Sequence, residues 1–166
     1  EERGTGDGRR RWGPKSLGRV SAPGGMDATF GARNAEPGTV SFMSQSGAFI
    51  TAVRDGAADR ALGFRHVVSL GNKTVLDESE FVREWGTDNG TEVVLGYLED
   101  IGDGRSFVET AREVTAETPV VVVKSGRPEA GASAAASPTG AMAGSAAAYR
   151  AGLSQAGVLR ADSVQE

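Results

Sequence analysis

The sequence predicts an α/β fold, an open parallel sheet of about five strands with helices on both faces. Short β-rich runs at 39–43, 66–70, 92–98 and 119–124 alternate with longer stretches of helical period. Glycine and other turn residues separate the two kinds of segment, and a β-α-β-α-β-α-β series of this sort forms parallel sheets with right-handed crossovers.

The first helical stretch, 48–61, repeats Phe49, Val53, Ala57 and Ala61 every four residues. The second covers 77–85. In the third, 104–117, Phe107, Val108, Ala111 and Val114 fall on one helical face. Residues 141–156 add a last helix and 158–159 a short last strand, which makes the sheet flavodoxin-like. Residues 12–37 hold Gly13, Pro14, Pro23, Gly24, Gly25, Gly31 and Pro37 at short intervals and read as a connector. Residues 1–11 lack apolar periodicity and are expected to be a disordered start. The stretch from Lys124 to Gly140 is too rich in small residues to pack and reads as a long loop.

The chain has 166 residues, 39% of them hydrophobic and 24% charged, which suits a water-soluble chain with one full domain and a remnant. No apolar run approaches the roughly 20 residues that span a bilayer, and the start lacks a secretory apolar core. A cytoplasmic protein without a membrane partner is expected. The absence of cysteine removes disulfides and thiolate catalysis, and the single histidine, His66, leaves any metal to oxygen ligands; no metal site is expected. A net charge of −4 gives no basic field for nucleic acid.

Open parallel sheets bind ligands beyond the carboxyl ends of their strands. The first strand exits into Ser44-Gln45-Ser46-Gly47 and then a helix, which suits a phosphate. The same residues also read as a plain helix cap and turn. Gly71-Asn72-Lys73 after the second strand offers an amide and a point charge to an anion, or is a simple turn. Glu99 and Asp100 end the third strand, with Glu99 either an orienting carboxylate or a solvated one. Lys124 and Arg127 follow the fourth and either hold an anion or keep a loop soluble. His66 is expected to begin the second strand, about 16 Å from the phosphate turn, as a surface or strand-edge side chain.

Taken together, the string Gly38 to Ala48, Val68-Ser69-Leu70-Gly71-Asn72-Lys73, Tyr97-Leu98-Glu99, Lys124-Ser125-Gly126-Arg127 and Ala136 to Ser145 resembles successive signatures of NDP-forming acyl-CoA synthetases, in particular ADP-forming acetate–CoA ligases. The similarity covers about residues 12–166. It implies a tail of a CoA-binding Rossmann domain with linker at 12–37 and a succinyl-CoA-synthetase-like domain of flavodoxin type at 38–166. Acyl-CoA and phosphate would give an acyl phosphate, whose phosphoryl group moves to a histidine and then to ADP. CoA, phosphate and ADP or ATP with Mg are substrates of the complete family enzyme, and an ATP-grasp β-type subunit or domain is the implied partner.

The resemblance assigns phosphate binding to Ser44, Ser46 and Gly47 and a histidine-supporting role to Glu99. The histidine position itself is Pro138, whose tertiary amide nitrogen has no lone pair for phosphoryl attack. Ser145-Ala146 also lacks an acidic residue that relatives carry, and Lys15-Ser16 replaces an Asn-Cys pair. These departures lead us to expect a fragment, a degenerate paralogue or a sequence altered at its start, with impaired activity. The alternative is a non-catalytic regulatory or assembly domain, as in some protein acetyltransferases.

Overall fold

The computed structural model describes residues 16–29, 36–58, 60–71, 73, 76–124 and 146–161. In chain order these form β1 (Gly18–Ser21), β2 (Met26–Thr29), β3 (Pro37–Ser44), α1 (Gly47–Ala58), β4 (Phe64–Ser69) and α2 (Glu78–Gly86). There follow β5 (Val93–Leu98), α3 (Gly104–Val114), β6 (Val120–Lys124), α4 (Ala146–Gln155) and β7 (Leu159–Ala161). The expectations for 1–11 and for the loop 125–139 lie outside the described residues.

One sheet of order β2-β1-β4-β3-β5-β6-β7 holds every strand. The pairs β4–β3, β3–β5, β5–β6 and β6–β7 are all parallel. In the order of their appearance these five strands run 2-1-3-4-5, the flavodoxin order. Alternation sorts their side chains: Phe42 and Val67 face one side, Met43, Val68, Val94 and Val122 the other. The first side packs on Ile50 and Ala57 of α1. The second packs on Trp85 of α2, Phe107 and Ala111 of α3, and Leu153 of α4.

The connector expectation for 12–37 needs correction. Residues 18–29 form an antiparallel hairpin whose first strand pairs antiparallel with β4, so the sheet has seven strands. Two four-residue strands have too little pattern to be recognised alone; they take their register from the open edge of β4. Arg54 of α1, almost wholly buried, fastens the hairpin by donating to Asp27 Oδ2 at 3.0 Å and Thr29 Oγ1 at 2.7 Å.

Helix ends follow local chemistry. Asp77 caps α2, its Oδ1 accepting from Ser79 and Glu80 N–H at 2.9 and 3.2 Å; Asp103 caps α3 through Ser106 N–H at 3.0 Å. In α1 the deepest apolar side chain is Ile50, one residue on from the expected Phe49, and Ala61 lies past the helix with φ +53°. Phe49 and Val53 still pack at the border of that core, and Ala61 is excluded because α1 ends at Ala58.

Candidate functional site

The connections leaving β3 and β5 go to opposite faces of the sheet, β3 to α1 and β5 to α3. These strands are neighbours, with Ser44 beside Tyr97. Their carboxyl ends therefore form a topological switch point, where such sheets open a crevice. On the β3 side lies the turn Ser44-Gln45-Ser46-Gly47, and on the β5 side Glu99-Asp100.

The turn is internally braced. Ser44 is fully buried, and its Oγ accepts from Ser46 N–H at 3.0 Å while donating to Ser46 C=O at 2.8 Å. Ser46 Oγ accepts from Phe49 N–H at 3.4 Å and so caps α1. Capping by Ser46 still leaves the first N–H groups of the helix, those of Gly47 and Ala48, without intrahelical acceptors at the positive end of its dipole.

Gln45, which sequence reasoning passed over, spans the crevice. Its Oε1 accepts from Glu99 N–H at 2.6 Å and Asp100 N–H at 3.0 Å, and its Nε2 donates to Asp100 C=O at 2.7 Å. Glu99 itself is exposed.

Behind this pair sits a second group that sequence reasoning missed. Glu78, at the start of α2, is 1% exposed; its Oε1 accepts from Gly102 N–H at 3.0 Å and its Oε2 lies 3.2 Å from Lys73 Nζ. Burial pushes the Glu78 carboxyl above the usual carboxylate range, with the Lys73 charge opposing. Lys73 Nζ also donates to Asp100 Oδ1 at 3.0 Å and Asp100 C=O at 3.2 Å. The structure thus engages Lys73, a candidate anion contact, with two carboxylates. Its backbone is left-handed at φ +49°, following Gly71 at φ +58°. Such a conformation in a non-glycine residue costs about 1 kcal/mol or more, and the ion pairs offset it. Asn72, the Lys124 side chain and Pro138 lie outside the described residues.

Helix α4 leads into β7, which runs parallel to β6, so α4 begins at this same carboxyl edge. Tyr149 in its first turns is buried, and that burial, followed by the charges of Glu78 and Asp100, pushes its hydroxyl well above the ordinary tyrosine range.

His66 differs from expectation. It stands inside β4 rather than at its start, because the strand begins at Phe64. It is half-buried rather than a surface group, with its ring stacked on Trp85 at 5.9 Å and its Nε2 3.2 Å from Asp88 Oδ2. Burial lowers its pKa despite Asp88. Asp88 also receives Arg65, with Nη2 to Oδ1 at 2.8 Å, and Thr91 Oγ1 at 3.1 Å. A cavity of about 580 Å³ opens beside this cluster between α2 and the hairpin. It lies away from the switch point.

A parallel sheet of this order, with its loops gathered at one switch point, defines a flavodoxin-like domain. Residues 37–166 match the family described as succinyl-CoA ligase like flavodoxin domain. The chain belongs to that family. It is 47% identical over 154 residues to ADP-forming acetate–CoA ligase I of Archaeoglobus fulgidus, covering 93% of this chain and 22% of that protein. To the α subunit of ADP-forming acetate–CoA ligase I of Pyrococcus furiosus it is 42% identical over 159 residues, covering 96% and 34%. The dinucleotide-forming acetyl-coenzyme A synthetase 1 of Ca. Korarchaeum cryptofilum, solved in complex with phosphate and ADP, superposes with a TM-score of 0.84 at 41% identity, covering 95% and 34%. The chain therefore spans between about a fifth and a third of the length of these relatives.

Proposed function

We propose that this chain is the flavodoxin-like part of an ADP-forming acid–CoA ligase whose phosphoryl relay is interrupted at Pro138. The observation that carries this reading is the meeting of the Ser44-Gln45-Ser46-Gly47 turn with Glu99 at the β3–β5 switch point. Phosphate held at the turn by the helix N-terminus would attack an acyl-CoA carbonyl through one oxygen, expelling the CoA thiolate and leaving an acyl phosphate. In the complete family reaction the phosphoryl group passes to a histidine, releasing the acid, and then to ADP. Glu99 is the carboxylate that would orient that histidine and balance its charge.

CoA, phosphate and ADP with Mg are substrates of the complete enzyme. Residues 12–37 are then the tail of a CoA-binding domain, with its final hairpin stitched onto this sheet. The partner is an ATP-grasp β-type subunit, and a cytoplasmic setting follows from these substrates. The proline favours one second reading, a regulatory or assembly domain that keeps the fold without the transfer.

The test is phosphoryl labelling from radiolabelled ATP, with the chain and its Pro138→His form each mixed with the nucleotide-binding subunit of a relative. Acid-labile, base-stable label is expected only on Pro138→His, at trace level. Label of that kind on the unsubstituted chain would overturn the role given to the proline. No label on Pro138→His would contradict a relay broken at one residue only.

A further inference from the structure

We propose that Gln45 is a positioning residue that couples the anion turn to Glu99. The inference rests on the phosphate reading of that turn. Gln45 belongs to both sides of the crevice: its backbone lies within the turn, while its side chain pairs with the exit of β5. The backbone N–H donates to Tyr97 C=O at 3.0 Å, which extends the β3–β5 ladder past Ser44. The side-chain amide then continues the pairing as another peptide would. Its oxygen accepts from Glu99 and Asp100 N–H, and its nitrogen donates to Asp100 C=O.

The opposite side of the exit is held as well. Lys73 donates to Asp100 C=O, the acceptor that Gln45 Nε2 also uses, and is itself anchored by the buried Glu78. Asp100 is clamped between two elements. Glu99 lies on the Gln45 side of that clamp, so the path of its backbone is set chiefly by Gln45. A movement of the turn on taking up an anion is therefore passed through one side chain to the carboxylate that must meet the phosphoryl carrier.

NMR of the full chain titrated with inorganic phosphate tests this. In the unsubstituted chain the amides of Ser46, Gly47 and Ala48 shift, and those of Glu99 and Asp100 shift with the same midpoint. In Gln45→Ala the first set still shifts and the second does not. Gln45→Glu keeps an acceptor for the Glu99 and Asp100 N–H groups but loses the donor to Asp100 C=O, so it restores the coupled response in part. Persistence of the Glu99 and Asp100 shifts in Gln45→Ala, or their absence in the unsubstituted chain while the turn responds, would overturn the coupling.

If the turn itself fails to respond, the phosphate reading is what fails. The positioning role is then decided without ligand. Hydrogen exchange at Glu99 and Asp100 should be about fivefold faster in Gln45→Ala, slower in Gln45→Glu than in Gln45→Ala, and unchanged at β6 in both. Equal rates at Glu99 and Asp100 in all three chains would overturn the role.

Discussion

The two ends of the parallel sheet carry polar clusters of opposite construction. At the carboxyl end, the ion pairs of Lys73 with Glu78 and Asp100 lie on one side of the β5 exit, while its junction with the β3 turn is made by backbone groups and one neutral amide, Gln45. At the amino end, Arg65, His66 and Asp88 meet through side chains, with Asp88 held well below the usual carboxylate range, first by the Arg65 guanidinium. Charges that neutralise one another stabilise the fold and leave little for a ligand. Backbone amides at a helix start keep donors directed outward. The difference separates an end that holds the domain together from one that can act.

The largest expected contrast comes from Asp88→Asn. It removes the charged acceptor for Arg65 and His66, and urea denaturation should show a loss of about 2 kcal/mol. The phosphate response at Ser46, Gly47 and Ala48 should be unchanged. Ser44→Ala should cost less, about 1 kcal/mol, because only the brace within the turn is lost. Unlike Asp88→Asn, it should also weaken the phosphate response. Together these variants separate stability at one end from binding at the other.

A pH series sharpens the comparison further. The His66 pKa is lowered in the folded chain from an ordinary 6.5, so its contribution to stability is complete above that pH and is lost as pH falls from 6.5 through the folded value. The Asp88 pKa is also lowered, so its contribution is present above 3.8 and is lost only as pH falls well below that. Glu78, with its pKa raised, acts in the other sense: its contribution is complete below 4.5 and is lost as pH rises through the folded value. Between pH 7 and 5.5 the unsubstituted chain should therefore lose more melting temperature, or gain less, than His66→Phe, which lacks the His66 contribution. Glu99→Gln, at the exposed exit, should have the smallest effect, under about 0.5 kcal/mol in the same melts.

The parallel core was readable because β-branched runs such as Val120 to Val123 and the spacing of Phe107, Ala111 and Val114 each repeat one period for long enough. Strand order then brought Ser44, Ser46, Gly47 and Glu99 to one edge. What escaped was non-local. The hairpin at 18–29 exists because β4 offers an edge, and Val20 is its one fully buried hydrophobic side chain. Glu78 looks like any acidic residue in a first helical turn until Gly102 and Lys73 close over it. Gln45 had no signal beyond its place between two serines, since its partners lie more than fifty positions away. His66 was misplaced because its strand starts two residues earlier than the apolar run suggests.

The two ends can be compared in one measurement, a crystal of this chain grown with tungstate, a phosphate mimic with a strong anomalous signal. The account predicts the dominant peak at the carboxyl end of β3 and β5, within hydrogen-bond distance of the Gly47 and Ala48 amides. A dominant peak instead beside Arg65 and Arg19 in the cavity under the hairpin, with none at the turn, would contradict it.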